Sequence, residues 1–155
     1  MPTYACVVKP GLLKDEQKQR IASVITRLHS ETTGAPTWLV QVVIDENGQR
    51  ERYLNGIPAD HQIWIRADIR AGRTSEQRQR LMLGVVKAVS DIARVEESAI
   101  WVYLCNLAPE DMVEYGRVLP QPGQEQAWFE ALPPELQRHL TSFEMQNEQI
   151  ANKEK

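Results

Sequence analysis

Apolar residues along this chain recur at two different spacings, and each change of spacing marks an element. Residues 3–9, TYACVVK, form a short run of small, aromatic and β-branched side chains, which predicts a partly buried strand. From Asp15 the spacing changes. Ile21, Val24, Ile25 and Leu28 fall three and four apart, as on one face of a helix, and Gly34 and Pro36 supply the stop. WLVQVVID, residues 38–45, predicts a second strand, and Asn47-Gly48 a tight turn from which RYL returns as a short edge strand. QIWIRADIR, residues 62–70, alternates with period two, setting Ile63, Ile65, Ala67 and Ile69 against Trp64, Arg66, Asp68 and Arg70. A helix over 75–93 follows, with Leu81, Val85, Val89 and Ile92 as its buried stripe and Thr74 and Gln77 as a capping box. AIWVYLCNL, residues 99–107, predicts the last strand of this series.

The two halves share one order of elements. At an offset of 60 residues Glu16-Gln17-Lys18-Gln19-Arg20 falls on Glu76-Gln77-Arg78-Gln79-Arg80, with no gap between the halves. Val40, Val42 and Ile44 fall likewise on Ile100, Val102 and Leu104. This predicts a duplicated strand–helix–strand unit, residues 2–60 and 61–119, in one α/β (α+β) domain spanning 1–155. Right-handed crossovers make the strands of each unit parallel. The expected core is a four-stranded sheet with two helices on one face, and the uncovered face favours an oligomer. A C-terminal extension, 120–148, opens with the loop PQPGQEQ. It should hold one or two short helices, with Trp128 and Phe129 packing back, before a polar, frayed tail at 149–155.

Composition narrows the class of protein. Apolar residues are 42% and charged residues 25% of the chain, with a net charge of -3, so nothing suggests a nucleic-acid footprint. No apolar run approaches the about 20 residues that span a bilayer, and no basic-then-apolar leader opens the sequence, so a cytoplasmic location is expected. The two cysteines, Cys6 and Cys105, lack metal-site spacing and suit reduced core thiols. His29, His61 and His139 are too scattered in sequence to suggest a metal cluster. No glycine-rich phosphate loop or nucleophile elbow occurs. Trp38, Trp64, Trp101 and Trp128 suit packing or subunit contacts.

Several residues could carry chemistry, each with an ordinary alternative. Arg70 and Arg73 lie at the end of a strand, just before a helix. Helix starts attract anions, and two guanidinium forks there would hold a carboxylate, unless both are solvated surface residues. Arg66 is a weaker third candidate. His29 borders the buried stripe of the first helix, as a packing residue or as a hydrogen-bond donor to substrate. Tyr103 is a core tyrosine or a functional phenol; its counterpart in the first half is Val43. Glu114, in MVEYGRVL, is a solvated carboxylate or, if Tyr103 converges on it, a base that deprotonates water. Pro2 is either a stiff strand opener or, once the initiator methionine is trimmed, a secondary amine able to take up or give a proton.

These positions together resemble the tautomerase superfamily. GRTSEQ (72–77) ahead of an amphipathic helix is similar to the matching stretch of 4-oxalocrotonate tautomerase. The resemblance to the cis-3-chloroacrylic acid dehalogenase family runs from residue 2 to about 132. It rests on the proline start, R-x-G-R at 70–73, IWVY (100–103), MVEYGR (112–117), LPQPG (119–123) and Trp128-Phe129. It implies a tandem β-α-β, MIF-like fold, a homotrimer, and six site residues. Pro2 would donate a proton to substrate carbon, Arg70 and Arg73 would bind and polarise a carboxylate, and His29 would help hold it. Tyr103 and Glu114 would activate water. The implied reaction is cofactor-free hydration of a cis-3-haloacrylate or acetylenic acid to malonate semialdehyde. Keto–enol tautomerisation of 2-oxo acids such as phenylpyruvate is the alternative chemistry, and a non-catalytic trimeric binding or scaffold protein the alternative class. The loop between the halves differs in length from the family's, which bears on substrate preference.

Overall fold

The structure, a computed structural model, describes residues 2–46 and 51–153; the expected turn at Asn47-Gly48 lies outside them. β1 (Thr3–Val7) leads into α1 (Asp15–Thr33), a 3-10 turn at Thr37–Leu39 and β2 (Gln41–Asp45). A small hairpin of β3 (Tyr53–Leu54) and β4 (Ile57–Pro58) ends the first half. β5 (Ile63–Arg70), α2 (Ser75–Ala93), a 3-10 turn at Glu97–Ala99 and β6 (Ile100–Leu107) repeat that order. β7 (Val113–Glu114) and β8 (Arg117–Val118) form the second hairpin. α3 (Glu125–Glu130) and α4 (Pro134–Lys153) complete the chain.

The main sheet runs β2-β1-β5-β6, with β1–β2 and β5–β6 parallel and β1–β5 antiparallel at the centre. Each parallel pair is bridged by its helix, and both helices lie on one face, as the spacing predicts. Ile21 and Ile25 of α1, and Leu81, Val85 and Val89 of α2, share one core with Tyr4, Cys6, Ile63, Ile65 and Ile69 of the sheet. Each such aliphatic side chain contributes about 1.5–3 kcal/mol on burial. Thr74 and Gln77 close their capping box by reciprocal bonds of 3.0 and 3.1 Å. Gly34 ends α1 in the left-handed region at φ 72, where a glycine pays no steric penalty.

The helices and hairpins of the two halves stand 60 residues apart throughout: Asp15 against Ser75, Tyr53 against Val113. The central strands depart from that offset. Tyr4 and Cys6 face the core, whereas Trp64 and Arg66 face away from it, and the inward set of β5 is Ile63, Ile65 and Ala67. A slip of one residue turns a strand's whole side-chain set over, so the gapless superposition fails at β1. RYL is a second departure. Tyr53-Leu54 pairs with Ile57-Pro58 around Asn55-Gly56, both at positive φ, and adds no edge to the main sheet. β2 is also shorter than expected, because Trp38 and Leu39 belong to a 3-10 turn.

The face without helices carries Val43, Trp101 and Tyr103, 42%, 41% and 51% exposed, with Trp64 edge-on to Tyr103 and Arg66 paired to Asp68 at 3.0 Å. Cys105 is half-buried on this face rather than in the core, whereas Cys6 is fully buried and its thiol is pushed up to about 12 by desolvation. After β8 the chain packs back, as anticipated for Trp128 and Phe129. Trp38 stacks on Trp128 at 6.5 Å and lies 5.2 Å from Phe129. Leu39 and Leu119 form a small second core beneath them. α4 is one helix of 20 residues, longer than expected, reaching Lys153. Among the described residues no helix is long and apolar enough to cross a membrane.

Candidate active site

The antiparallel pairing of β1 and β5 sets the start of one strand beside the end of the other. Thr3 pairs with Asp68, so Pro2 lies near the R-x-G-R turn that follows Arg70. Pro2 is buried, and its carbonyl oxygen accepts from the Gln41 amide at 3.0 Å. A cleft of about 630 Å³ opens here, within the usual range for small-molecule sites. Thr3, Asp68, Leu107, Trp38, Met112 and Glu114 are among its walls.

His29 projects from the inner face of α1 and is 1% exposed. Its Nδ1 lies 2.9 Å from the Tyr4 hydroxyl. Burial holds the imidazole neutral, lowering it to about 3, and the positive charges of Arg73, the amino terminus and Arg70 act in the same direction. Burial likewise raises the Tyr4 phenol, so it stays protonated. Where the phenol donates to Nδ1, the neutral imidazole keeps its own proton on Nε2; in the other tautomer Nδ1–H donates to the phenol oxygen. Tyr4 was not among the sequence candidates; its only trace is an aromatic at an inward position of a short strand.

Arg70 is 2% exposed, so it is no solvated surface residue. Its Nη1 donates to the Pro120 carbonyl oxygen at 2.7 Å, and its Nη2 to the Glu125 carboxylate. Arg73 is half-buried, with long contacts of 3.4 Å to the carbonyls of Arg70 and Ala71. Burial first, and then the Arg70 charge, lower its guanidinium below the usual range. Glu125 is the second residue that sequence reasoning missed. It lies 55 positions from Arg70, and nothing in its neighbourhood marks it.

Glu114 sits in β7, half-buried at the cleft wall. Desolvation raises its carboxyl above the usual range, while the amino terminus and Arg70 pull the other way. Tyr115 and Gly116 turn the hairpin at positive φ, and the Tyr115 hydroxyl donates to the Trp38 carbonyl at 3.0 Å, tying the hairpin to the 3-10 turn before β2. The amino terminus and Arg70 thus act on both His29 and Glu114, and Arg73 acts on His29. Of the six sequence candidates only Glu114 lines the cleft; Pro2, His29, Arg70 and Arg73 are buried or half-buried behind its walls, and Tyr103 stands apart, at mid-strand on the open face. Arg66 shares that face, in salt bridge with Asp68. Among the described residues no group of three or more His, Cys, Asp or Glu could hold a metal ion.

Fold and site together define a class. Residues 1–131 match the family model described as a putative oxalocrotonate tautomerase enzyme, and the chain belongs to the tautomerase superfamily, in its cis-3-chloroacrylic acid dehalogenase-like part. The crystal structure of N1, a member of the cis-3-chloroacrylic acid dehalogenase family, is 36% identical over 90% of this chain and 99% of that one, with a TM-score of 0.86. Native Ps01740 is 27% identical over 72% of this chain and 99% of that one, with a TM-score of 0.67. A macrophage migration inhibitory factor from Toxoplasma gondii shares the fold, at 13% identity, 76% and 99% coverage and a TM-score of 0.62. No curated protein sequence matches the chain.

Proposed function

We propose that this protein is a cofactor-independent hydratase and hydrolytic dehalogenase of small unsaturated carboxylates. The observation that carries the reading is the convergence of a buried Pro2, a neutral His29, two arginines and Glu114 at one end of the sheet. The arginines and His29 bind the substrate carboxylate and draw electron density from the double bond, so that C3 becomes electrophilic and the enediolate-like intermediate is stabilised. Glu114 takes a proton from water, and the resulting hydroxide adds to C3. Pro2, free of its methionine and cationic, delivers a proton to C2. With a 3-haloacrylate the product is a halohydrin, which loses halide and a proton to give malonate semialdehyde. With an acetylenic acid the enol formed tautomerises to the same product.

The position of Tyr103 supports a homotrimer in this reading. Its hydroxyl lies on the uncovered face, among the exposed side chains that assembly would bury, and so it helps orient water in a neighbouring chain's cleft rather than in its own. Fused 4-oxalocrotonate tautomerase, 23% identical at a TM-score of 0.68, is itself described as an asymmetric trimer.

Proton NMR with cis-3-chloroacrylate, trans-3-chloroacrylate and propiolate reports turnover, isomer preference and product in one experiment. Malonate semialdehyde from the cis acid and from propiolate is expected. Glu114→Gln should lower halide release by about 10²–10⁴-fold, the usual worth of a positioned base. Halide release untouched by that substitution removes Glu114 from the mechanism. Turnover of phenylenolpyruvate alone points to a tautomerase, and no turnover of any of these compounds to a binding protein.

A further inference from the structure

Arg70 is bound in an unusual way for a residue meant to hold substrate. Both terminal amino groups of its guanidinium are engaged inside the chain, one by a carbonyl oxygen and one by a carboxylate. Its Nε is buried and has no hydrogen-bond partner among the described residues. Buried N–H groups are nearly always paired, so an arginine with both terminal amino groups engaged and its Nε–H left open calls for an explanation.

Both partners come from the segment that follows β8, and that segment is fastened along its length. The Leu119 amide donates to the Met112 carbonyl at 3.0 Å, and the Leu119 side chain is buried. Pro122 lies over Gly72, where a Cβ would stand only 2.8 Å from the proline Cγ and where φ is +104, so glycine alone permits this approach. The Trp128 indole donates to the Val118 carbonyl at 2.8 Å and stacks on Trp38. Burial opposes ionisation of Glu125, but the Arg70 hydrogen bond and its own backbone amide outweigh it, and its carboxyl lies below the usual range.

We propose that Glu125 is the positioning residue for Arg70: with the Pro120 carbonyl it holds both terminal amino groups and leaves Nε–H as the donor that meets the substrate carboxylate. Arg73, whose contacts within the chain are long, supplies the second arm of the clamp. Glu125 touches no substrate. It fixes the direction of the arginine that does and offsets one of two adjacent positive charges. The inference rests on the function proposed above.

The test uses the full chain, acrylate as a halogen-free binding probe whose stability in the sample is checked by proton NMR, and the Arg70 Nε–H signal in a proton–nitrogen NMR spectrum, assigned by its loss in Arg70→Lys. In the wild-type protein acrylate binding, measured by calorimetry, should move that signal. Glu125→Gln should weaken acrylate binding by about tenfold or more and abolish the movement, since a bond to a charged group is lost; Glu125→Asp should fall between. Unchanged or tighter acrylate binding in Glu125→Gln overturns the proposal, the tighter case showing that Glu125 competes with substrate for Arg70. If the variants fail to fold, the wild-type signal decides. A signal that stays still while acrylate binds sinks this inference alone, whereas no acrylate binding at all by the wild type sinks the proposed function with it.

Discussion

Replacing His29 with glutamine should flatten the acid side of the stability profile. In the folded chain the imidazole is held at about 3, while in the unfolded chain it returns to roughly 6.5. Between those values the unfolded state binds a proton that the native state refuses, so folding free energy is lost as pH falls below 6.5 and regained as it rises. A depressed histidine therefore acts in the same direction as a salt-bridged carboxylate, and opposite to a histidine that gains an acidic partner. At 1.36 kcal/mol per pH unit, the loss is about 2 kcal/mol between pH 7 and pH 5, and about 3 kcal/mol by pH 4. His29 is 1% exposed, so solvent screening takes little from that figure. Glutamine keeps an acceptor for the Tyr4 hydroxyl but cannot titrate. Urea unfolding at several pH values, at one protein concentration so that any assembly contributes equally, measures the difference. Carboxylates titrate in both proteins and cancel in the subtraction. Wild-type and variant curves that run parallel from pH 7 to pH 5 would refute a buried, neutral His29.

Ile25→Ala empties space in a fully buried site and should cost about 2–5 kcal/mol by denaturant unfolding. Gly72→Ala should displace Pro122 and loosen the segment above Arg70; the measure is KM for propiolate, which should rise more than kcat falls. Trp101→Glu places a charge on the uncovered sheet face, and sedimentation should then report a smaller species than the wild type forms.

The parts of this fold that were legible in the sequence are those governed by neighbours in the chain. α1 and α2 are readable because their apolar stripes and caps lie within a few turns, and both helices begin where the pattern places them. β5 is readable because a half-buried strand must alternate. The reversed facing of β1 was not, because a strand of five residues holds too few positions to fix which side is in until its partner is known. The hairpins have strands of two residues, too short for any period, and the turn signal at Asn55-Gly56 stood close to a rival one at Asn47-Gly48. Of the candidate site, Pro2, His29, Arg70, Arg73, Tyr103 and Glu114 are singled out by residue type and by resemblance. That Arg70 and His29 are buried rather than solvated could be learned only from their surroundings. Tyr4 and Glu125 act through partners 25 and 55 positions away, and no local pattern encodes such a pairing.

The 60-residue correspondence between helices and hairpins has a consequence for stoichiometry. Leu13, Leu54 and Val89 occupy the positions that answer to Arg73, Glu114 and His29, and none of them bears a charge. The opposite pole of the fold therefore inherits the backbone plan without the reagents, and the tail after β8 folds down over the equipped pole. On the function proposed above, the doubled unit holds one reaction centre per polypeptide, with its twin as scaffold.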